Sequence, residues 1–146
     1  MKTRTATARD AEKVIELVNC LLEELGARPI PYESAVPAFQ SVAANEGAGS
    51  VIVAEEDSQV VGVCTLSFQT AMRTAGRYAV IQEMYVVPEH RSRSVGAQLV
   101  EHALAVARAH GCRVVELGTP PNGLRQEEFY RREGFEQVGM RFRMRI

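Results

Sequence analysis

Cysteine is scarce in this sequence, and its scarcity excludes two classes of small protein. The three cysteines, Cys20, Cys64 and Cys112, are an odd number, lie far apart, and each stands among apolar neighbours. A disulfide-stabilised secreted domain is expected to have an even set, and a structural zinc site closely spaced pairs. The sequence therefore predicts reduced thiols in a cytoplasmic protein and no metal site.

Excess charge and long apolar runs are also missing. The chain has 17 basic and 18 acidic residues, a net charge of −1, which gives no reason to expect a nucleic-acid partner. No apolar run approaches the length of a membrane span, and Met1 leads into polar residues rather than the apolar core of a signal peptide. We therefore expect neither a nucleic-acid nor a membrane partner, and a cytoplasmic location.

The composition that is present suits one folded unit. A chain of 146 residues with 46% hydrophobic content is large enough to bury a proper core. Repeats and low-complexity tracts are absent from the sequence. The prediction is a single domain over residues 1–146.

Hydrophobic periodicity predicts alternating strands and helices. The predicted strands cover residues 3–7, 51–55, 60–68, 78–87, 113–118 and 141–146. The predicted helices cover residues 10–25, 32–44 with an interruption near Pro37, 95–110 and 124–133. The last strand is predicted because Arg141, Arg143 and Arg145 alternate with Phe142, Met144 and Ile146. Residues 69–77 are predicted to form a mobile polar loop.

The stretch from Tyr78 to Gly111 carries the clearest functional signal. A buried strand ends at Pro88, a basic loop of small residues follows, and a helix then begins near Val95. The first amides of a helix have no internal partner and attract anions, and Gly96 lets a ligand approach the backbone. The pattern indicates a phosphate or pyrophosphate site. An ordinary surface loop, capped by Ser94 and carrying solvated arginines, remains the alternative.

Two motifs in this half of the chain resemble signatures of a known family. Arg91-x-x-Ser94-x-Gly96-Ala97 resembles the acetyl-CoA signature Q/R-x-x-G-x-G/A of the GCN5-related N-acetyltransferases, the GNAT family. Phe129-Tyr130-x-x-x-Gly134-Phe135 resembles the second signature, Y-x-x-x-G-F. The resemblance implies an α/β fold: a twisted, mostly antiparallel mixed sheet flanked by helices and splayed open where acetyl-CoA enters.

The resemblance also implies which residues bind the cofactor. In the family, the end of the central strand hydrogen-bonds the pantetheine arm and the loop amides hold the pyrophosphate. By position these residues are Met84, Tyr85, Val86, Arg91, Ser92, Arg93, Ser94, Val95, Gly96, Ala97 and Asn122. Ser94 departs from the usual glycine, which places a Cβ in the tightest part of the loop; its hydroxyl could itself donate to a phosphate oxygen.

Acetyl transfer to an amine requires a base and an acid. An alkylammonium with a pKa near ~10.4 must lose a proton before attack, and a departing thiolate with a pKa near ~8.5 can be protonated by a phenol. Tyr130 occupies the position of the family's acid; a core aromatic is the alternative. Glu83 and Glu116 are the candidate bases, with solvent as a third option. For Glu83, the other interpretations are a structural ion pair with an arginine such as Arg73 or Arg77, or exposure at a splay in the sheet.

The predicted function is therefore acetyl-CoA-dependent N-acetylation of a primary amine by direct transfer in a ternary complex. The acceptor is expected to be a small-molecule or peptide amine, which the sequence does not identify. The alternative is a catalytically silent acyl-CoA-binding sensor. A homodimer is left open.

Overall fold

The computed structural model describes residues 1–146 and contains one sheet with strand order β1-β2-β3-β4-β5. The strands are β1 (Lys2–Thr5), β2 (Gly49–Glu56), β3 (Gln59–Ala71), β4 (Gly76–Val86) and β5 (Val115–Leu117). The helices are α1 (Ala11–Glu24), α2 (Tyr32–Ala43), α3 (Val95–Ala109) and α4 (Leu124–Arg132). The first four strands pair antiparallel and β5 pairs parallel with β4. The predicted mixed, mostly antiparallel sheet with flanking helices is confirmed.

Both faces of the sheet are covered, which explains why β2 and β3 are apolar almost throughout. Ile52 and Leu66 belong to a core cluster with Leu99 of α3, whereas Val51 and Val63 belong to a second cluster with Leu17 of α1. Alternating side chains of one strand therefore enter different cores. No helix is both long and apolar enough to cross a membrane.

The hairpin between β3 and β4 is longer than predicted. β3 continues to Ala71 and β4 begins at Gly76, so only residues 72–75 form the turn, and the prediction of a mobile loop over residues 69–77 is wrong. These strand ends are polar and lie largely at the surface. Backbone pairing in register, such as Gln69 opposite Tyr78, needs no apolar side chains.

Two further predictions fail in the fold. α2 runs without interruption through Pro37, because a single proline removes only one helical hydrogen bond. The predicted final strand, residues 141–146, is wrong: this segment has no regular structure, and Phe142 is 93% exposed. Alternation specifies two faces of a strand, but it does not supply a neighbouring strand with which to pair.

A β-bulge in β4 lies where the pairing with β5 ends. Ile81 lies opposite Leu66 and Glu83 lies opposite Thr65, so Gln82 is an extra residue with no partner in β3. Directly beside the bulge, pairing with β5 stops, since it involves only Ala79 to Ile81. Residues 82–86, here called the open edge of β4, therefore have no strand partner on the β5 side.

Candidate functional site

A row of backbone amides faces no protein acceptor at the start of α3. The N–H of Arg91 donates to Pro88 O (3.2 Å) and that of Gln98 to Ser94 O (3.0 Å), but none from Ser92 to Ala97 donates to a backbone or side-chain acceptor. We call residues 92–97 the amide loop. Consecutive free N–H groups at the N-terminus of a helix of 15 residues form an anion site.

The amide loop is shaped by two serines in the left-handed region. Ser92 has φ +71° and Ser94 has φ +62°, a conformation that non-glycine residues seldom adopt. Ser94 is the residue before α3, yet its side chain makes no capping hydrogen bond. The alternative interpretation, an ordinary loop capped by Ser94, is therefore missing the capping hydrogen bond that it requires. The left-handed φ also gives a physical reason why glycine is usual in the signature at this position.

The two arginines of the loop region are engaged in ion pairs with other parts of the fold. Arg91 Nη2 lies 2.6 Å from Glu24 Oε1 at the end of α1, and its Nε donates to Val86 O at 2.8 Å. Arg93 Nη1 lies 3.6 Å from Glu56 Oε2 near the β2–β3 turn. Arg91 thus anchors the loop on the sheet. Positive potential for an anion comes in the first place from the amides.

The three strand residues implied for pantetheine, Met84, Tyr85 and Val86, all lie on the open edge of β4. Met84 packs toward the core under α3, and Tyr85 packs toward α1. The structure thus brings these residues next to the loop that follows the strand. Asn122 is exposed in the turn before α4, with φ +62° and no side-chain hydrogen bond.

Gly96 contributes close packing as well as a free amide. A Cβ at this position would come within 3.1 Å of Phe129 Cζ and 3.3 Å of Met84 Cε. A larger side chain there would displace α4 or the open edge of β4. Gly96→Val is therefore expected to lower the stability of the fold as well as the affinity of the amide loop for an anion, because only a glycine fits between these two side chains.

Tyr130 lies on α4 between two other aromatic residues. Its ring centroid is 5.0 Å from that of Phe129 and 5.7 Å from that of Phe135, both in edge-to-face geometry. Burial, and next the nearby Cys64, raise the pKa of the phenol well above its ordinary value, so it is protonated at neutral pH. Its hydroxyl has no hydrogen-bond partner in the protein, and the oxygen keeps some access to solvent. A core tyrosine bonded to the backbone is thus not what the structure contains.

Glu83 faces a cavity of about 210 Å³ between α1, α2 and the sheet, here called the α1–α2 cavity. Because the bulge adds Gln82, both Gln82 and Glu83 line this cavity, although they are consecutive in a strand. Glu83 Oε2 accepts a hydrogen bond from Thr65 Oγ1, and Oε1 accepts none. No arginine pairs with Glu83, so the ion-pair interpretation is not supported.

The rival base, Glu116, has a different environment. Its two carboxylate oxygens accept hydrogen bonds from Arg73, at 2.7 Å from Nη2 and 3.2 Å from Nη1. This pair raises the pKa of Arg73, the hydrogen bond to Glu116 being the largest cause. Both oxygens of Glu116 are thus occupied by Arg73, whereas Oε1 of Glu83 accepts no hydrogen bond.

Sequence reasoning missed the polar partners of Glu83. Thr65 orients the carboxylate, and Gln82 Nε2 donates to Ser67 Oγ at 2.8 Å along the same side of the sheet. Thr65 and Ser67 were visible only as polar residues in an apolar strand. That pattern was a usable signal, since an unpaired polar group inside a sheet needs a reason.

Comparisons with known proteins agree with this arrangement. The model of the acetyltransferase (GNAT) family matches residues 13–135. Aminoalkylphosphonate N-acetyltransferase from Salmonella typhimurium is 32% identical over 141 residues, which cover 95% of this chain and 87% of that protein. The crystal structure of a transcriptional regulator from Bacillus halodurans has a TM-score of 0.87 and 25% identity, with 99% of each chain covered.

An aminoglycoside N-acetyltransferase in complex with CoA shares the fold, with a TM-score of 0.85 at 17% identity over 99% of this chain and 93% of that chain. By its family model and its relatives, the chain belongs to the GNAT family. Within it, the predicted enzyme class, N-acetyltransferase, is confirmed by the family model and the Salmonella relative.

Proposed function

We propose that residues 1–146 act as a single acetyl-CoA-dependent N-acetyltransferase domain that acetylates a primary amine by direct transfer in a ternary complex. One observation carries the proposal: the unpaired amides of Ser92 to Ala97 directly follow the open edge of β4. A pyrophosphate fits the first and an extended amide-containing arm fits the second. The CoA complex of the aminoglycoside N-acetyltransferase supports this assignment.

Acetyl-CoA would be held along these two elements. Met84, Tyr85 and Val86 offer backbone groups to the pantetheine arm, and the amide loop offers N–H donors to the pyrophosphate. When bound, the thioester supplies an activated acetyl group. N–H groups of the open edge that point away from β3 could polarise its carbonyl, as preorganised donors do in other acyl transfers.

Glu83 is proposed as the base for the acceptor amine. Its side chain lines the α1–α2 cavity, Oε1 accepts no hydrogen bond, and Thr65 donates to Oε2. A proton can pass to it directly or through water, which leaves a neutral amine for attack. Glu116 is less suited because Arg73 occupies both of its oxygens.

Tyr130 is proposed as the acid for the leaving sulfur. Burial keeps its phenol protonated at neutral pH, and no protein acceptor occupies the hydroxyl. Phe129 and Phe135 hold the ring on either side, and Phe129 in turn contacts the Gly96 position of α3. Donation to the departing thiolate would complete the transfer without a protein-bound acetyl group.

A panel of primary amines, incubated with the protein and acetyl-CoA and followed by mass detection, tests the proposal. We expect free CoA and an N-acetylated amine in equal amounts, above a control without amine. Tight acetyl-CoA binding with no turnover on any amine would instead indicate a sensor. Failure to bind any CoA thioester would indicate a phosphate-binding domain unrelated to acyl transfer.

A further inference from the structure

The α1–α2 cavity is apolar over most of its wall and polar at one end. Side chains such as Val14, Val18 and Ile30 line the helical side. The polar end is on the sheet, where Thr65 bonds to Glu83 and Ser67 bonds to Gln82. An amine bound here would meet the carboxylate with its nitrogen and the apolar wall with its substituent.

The charges around this cavity are of one sign only. None of its 15 lining residues is lysine, arginine or histidine, and Glu83 is the only charged one. A carboxylate attracts an ammonium ion, but it repels a phosphonate or carboxylate group of a ligand. Burial of such an anion beside Glu83, with no cation to pair with it, would be strongly unfavourable.

The size of the cavity suits a small substituent. At about 210 Å³ it has room for roughly seven water-sized groups, since a water occupies about 30 Å³ of liquid. One rim is fixed, because the Asn19 side chain bonds to both backbone groups of Ile30, to N at 2.8 Å and to O at 3.2 Å. This two-point contact holds the segment between α1 and α2 against the cavity.

We propose that the acceptor is a primary amine on a compact apolar group without an anionic substituent, bound in the α1–α2 cavity with its nitrogen at Glu83. The inference rests on the proposed function and deepens it. It sets this chain apart from its aminoalkylphosphonate-acetylating relative, because a phosphonate would find no cation here.

Selectivity among acceptors is the first test. With acetyl-CoA, isopentylamine should be acetylated with a kcat/KM at least ~10²-fold above that of aminoethylphosphonate, because only the latter has to place an anion near Glu83. Comparable or faster acetylation of aminoethylphosphonate would overturn the inference and leave the proposed acetyl transfer intact.

A cavity-filling variant is the second test. Ala38 lines the cavity from α2 but is itself exposed, so Ala38→Leu narrows the site without overpacking the core. We expect kcat/KM for isopentylamine to fall roughly tenfold and that for the smaller ethylamine to fall less. Gln40→Leu places the same side chain on the same helix outside the cavity, and should change neither value.

Calorimetric titration of isopentylamine into the protein with CoA present distinguishes the assignment of the cavity from the proposed acetyl transfer. Binding that Ala38→Leu weakens, with no amine acetylated, would support the cavity assignment and contradict the proposed function. If isopentylamine fails to bind, or if Ala38→Leu and Gln40→Leu behave alike, the cavity is not the acceptor site and the inference is overturned.

Discussion

Replacement of Ser94 by glycine is expected to stabilise the protein. A serine with φ +62° has an unfavourable steric contact of its Cβ that costs about 1–2 kcal/mol and that glycine, which has no Cβ, avoids. Glycine loses about 0.5–1 kcal/mol through its greater freedom in the unfolded chain. No capping bond is lost, because the Ser94 side chain makes none. The net expectation is a gain of between about 0 and 1.5 kcal/mol in the free energy of unfolding.

Urea unfolding with linear extrapolation measures this gain, and a thermal melt should show a rise of roughly 2–4 °C for each kcal/mol. Ser41→Gly is the matched control, since Ser41 is exposed in α2 and its side chain donates to Pro37 O. That change should destabilise by about 0.5 kcal/mol. If both variants lose stability alike, Ser94 carries no backbone strain and the reasoning is refuted.

The same variant reports on the cofactor. If the free amides hold the pyrophosphate, Ser94→Gly should keep or improve the affinity for CoA. If the Ser94 hydroxyl donates to a phosphate oxygen, the change should cost about 1–3 kcal/mol of binding. A loss with CoA but not with pantetheine, which lacks the pyrophosphate, would assign that bond to Ser94.

Four other substitutions test three separate parts of the structure. Tyr130→Phe should lower kcat by about 10²–10⁴-fold at an unchanged melting temperature, and less with a more acidic acyl-donor thiol; a wild-type rate would leave Tyr130 a packing residue only. Glu83→Gln should lower turnover most below the pH where the amine deprotonates by itself, and Glu116→Gln little; equal small losses would point to solvent as the base. The hydrogen bond from Arg4 lowers the pKa of Asp10 from an ordinary 3.8 to about 2. The ionised carboxylate therefore stabilises the fold fully at pH values above the ordinary pKa of 3.8. Asp10→Asn should therefore cost about 2 kcal/mol at neutral pH, and urea unfolding should show the difference shrinking as pH falls toward 2.

The amide loop could be predicted from sequence because its signals are local. Pro88 ends a strand, small residues follow, and Val95 and Leu99 begin the buried face of a helix within a few positions. Capping rules and hydrophobic spacing act over such short distances. The order of strands and helices was predictable for the same reason.

The surroundings of Glu83 could not be predicted because they depend on long-range pairing. Glu83 faces the α1–α2 cavity only because of the bulge at Gln82, which is set by the register between β3 and β4. Sequence alone left Arg73 as a partner for Glu83, whereas the folded hairpin brings Arg73 to Glu116. The alternating pattern of residues 141–146 gave a wrong strand prediction for a related reason, because a strand also requires a neighbouring strand with which to pair.

A single-turnover experiment tests direct acetyl transfer to an amine. Protein in excess over acetyl-CoA would be mixed with isopentylamine, quenched at intervals, and analysed for the amide and for the intact mass of the protein. We expect the N-acetylated amine to appear with free CoA while the protein mass stays unchanged at every time. Cys64 supports this expectation, because burial raises its pKa to about 12 and leaves it a poor nucleophile. An acetylated protein that forms before the amide, or no amide at all, would contradict the account.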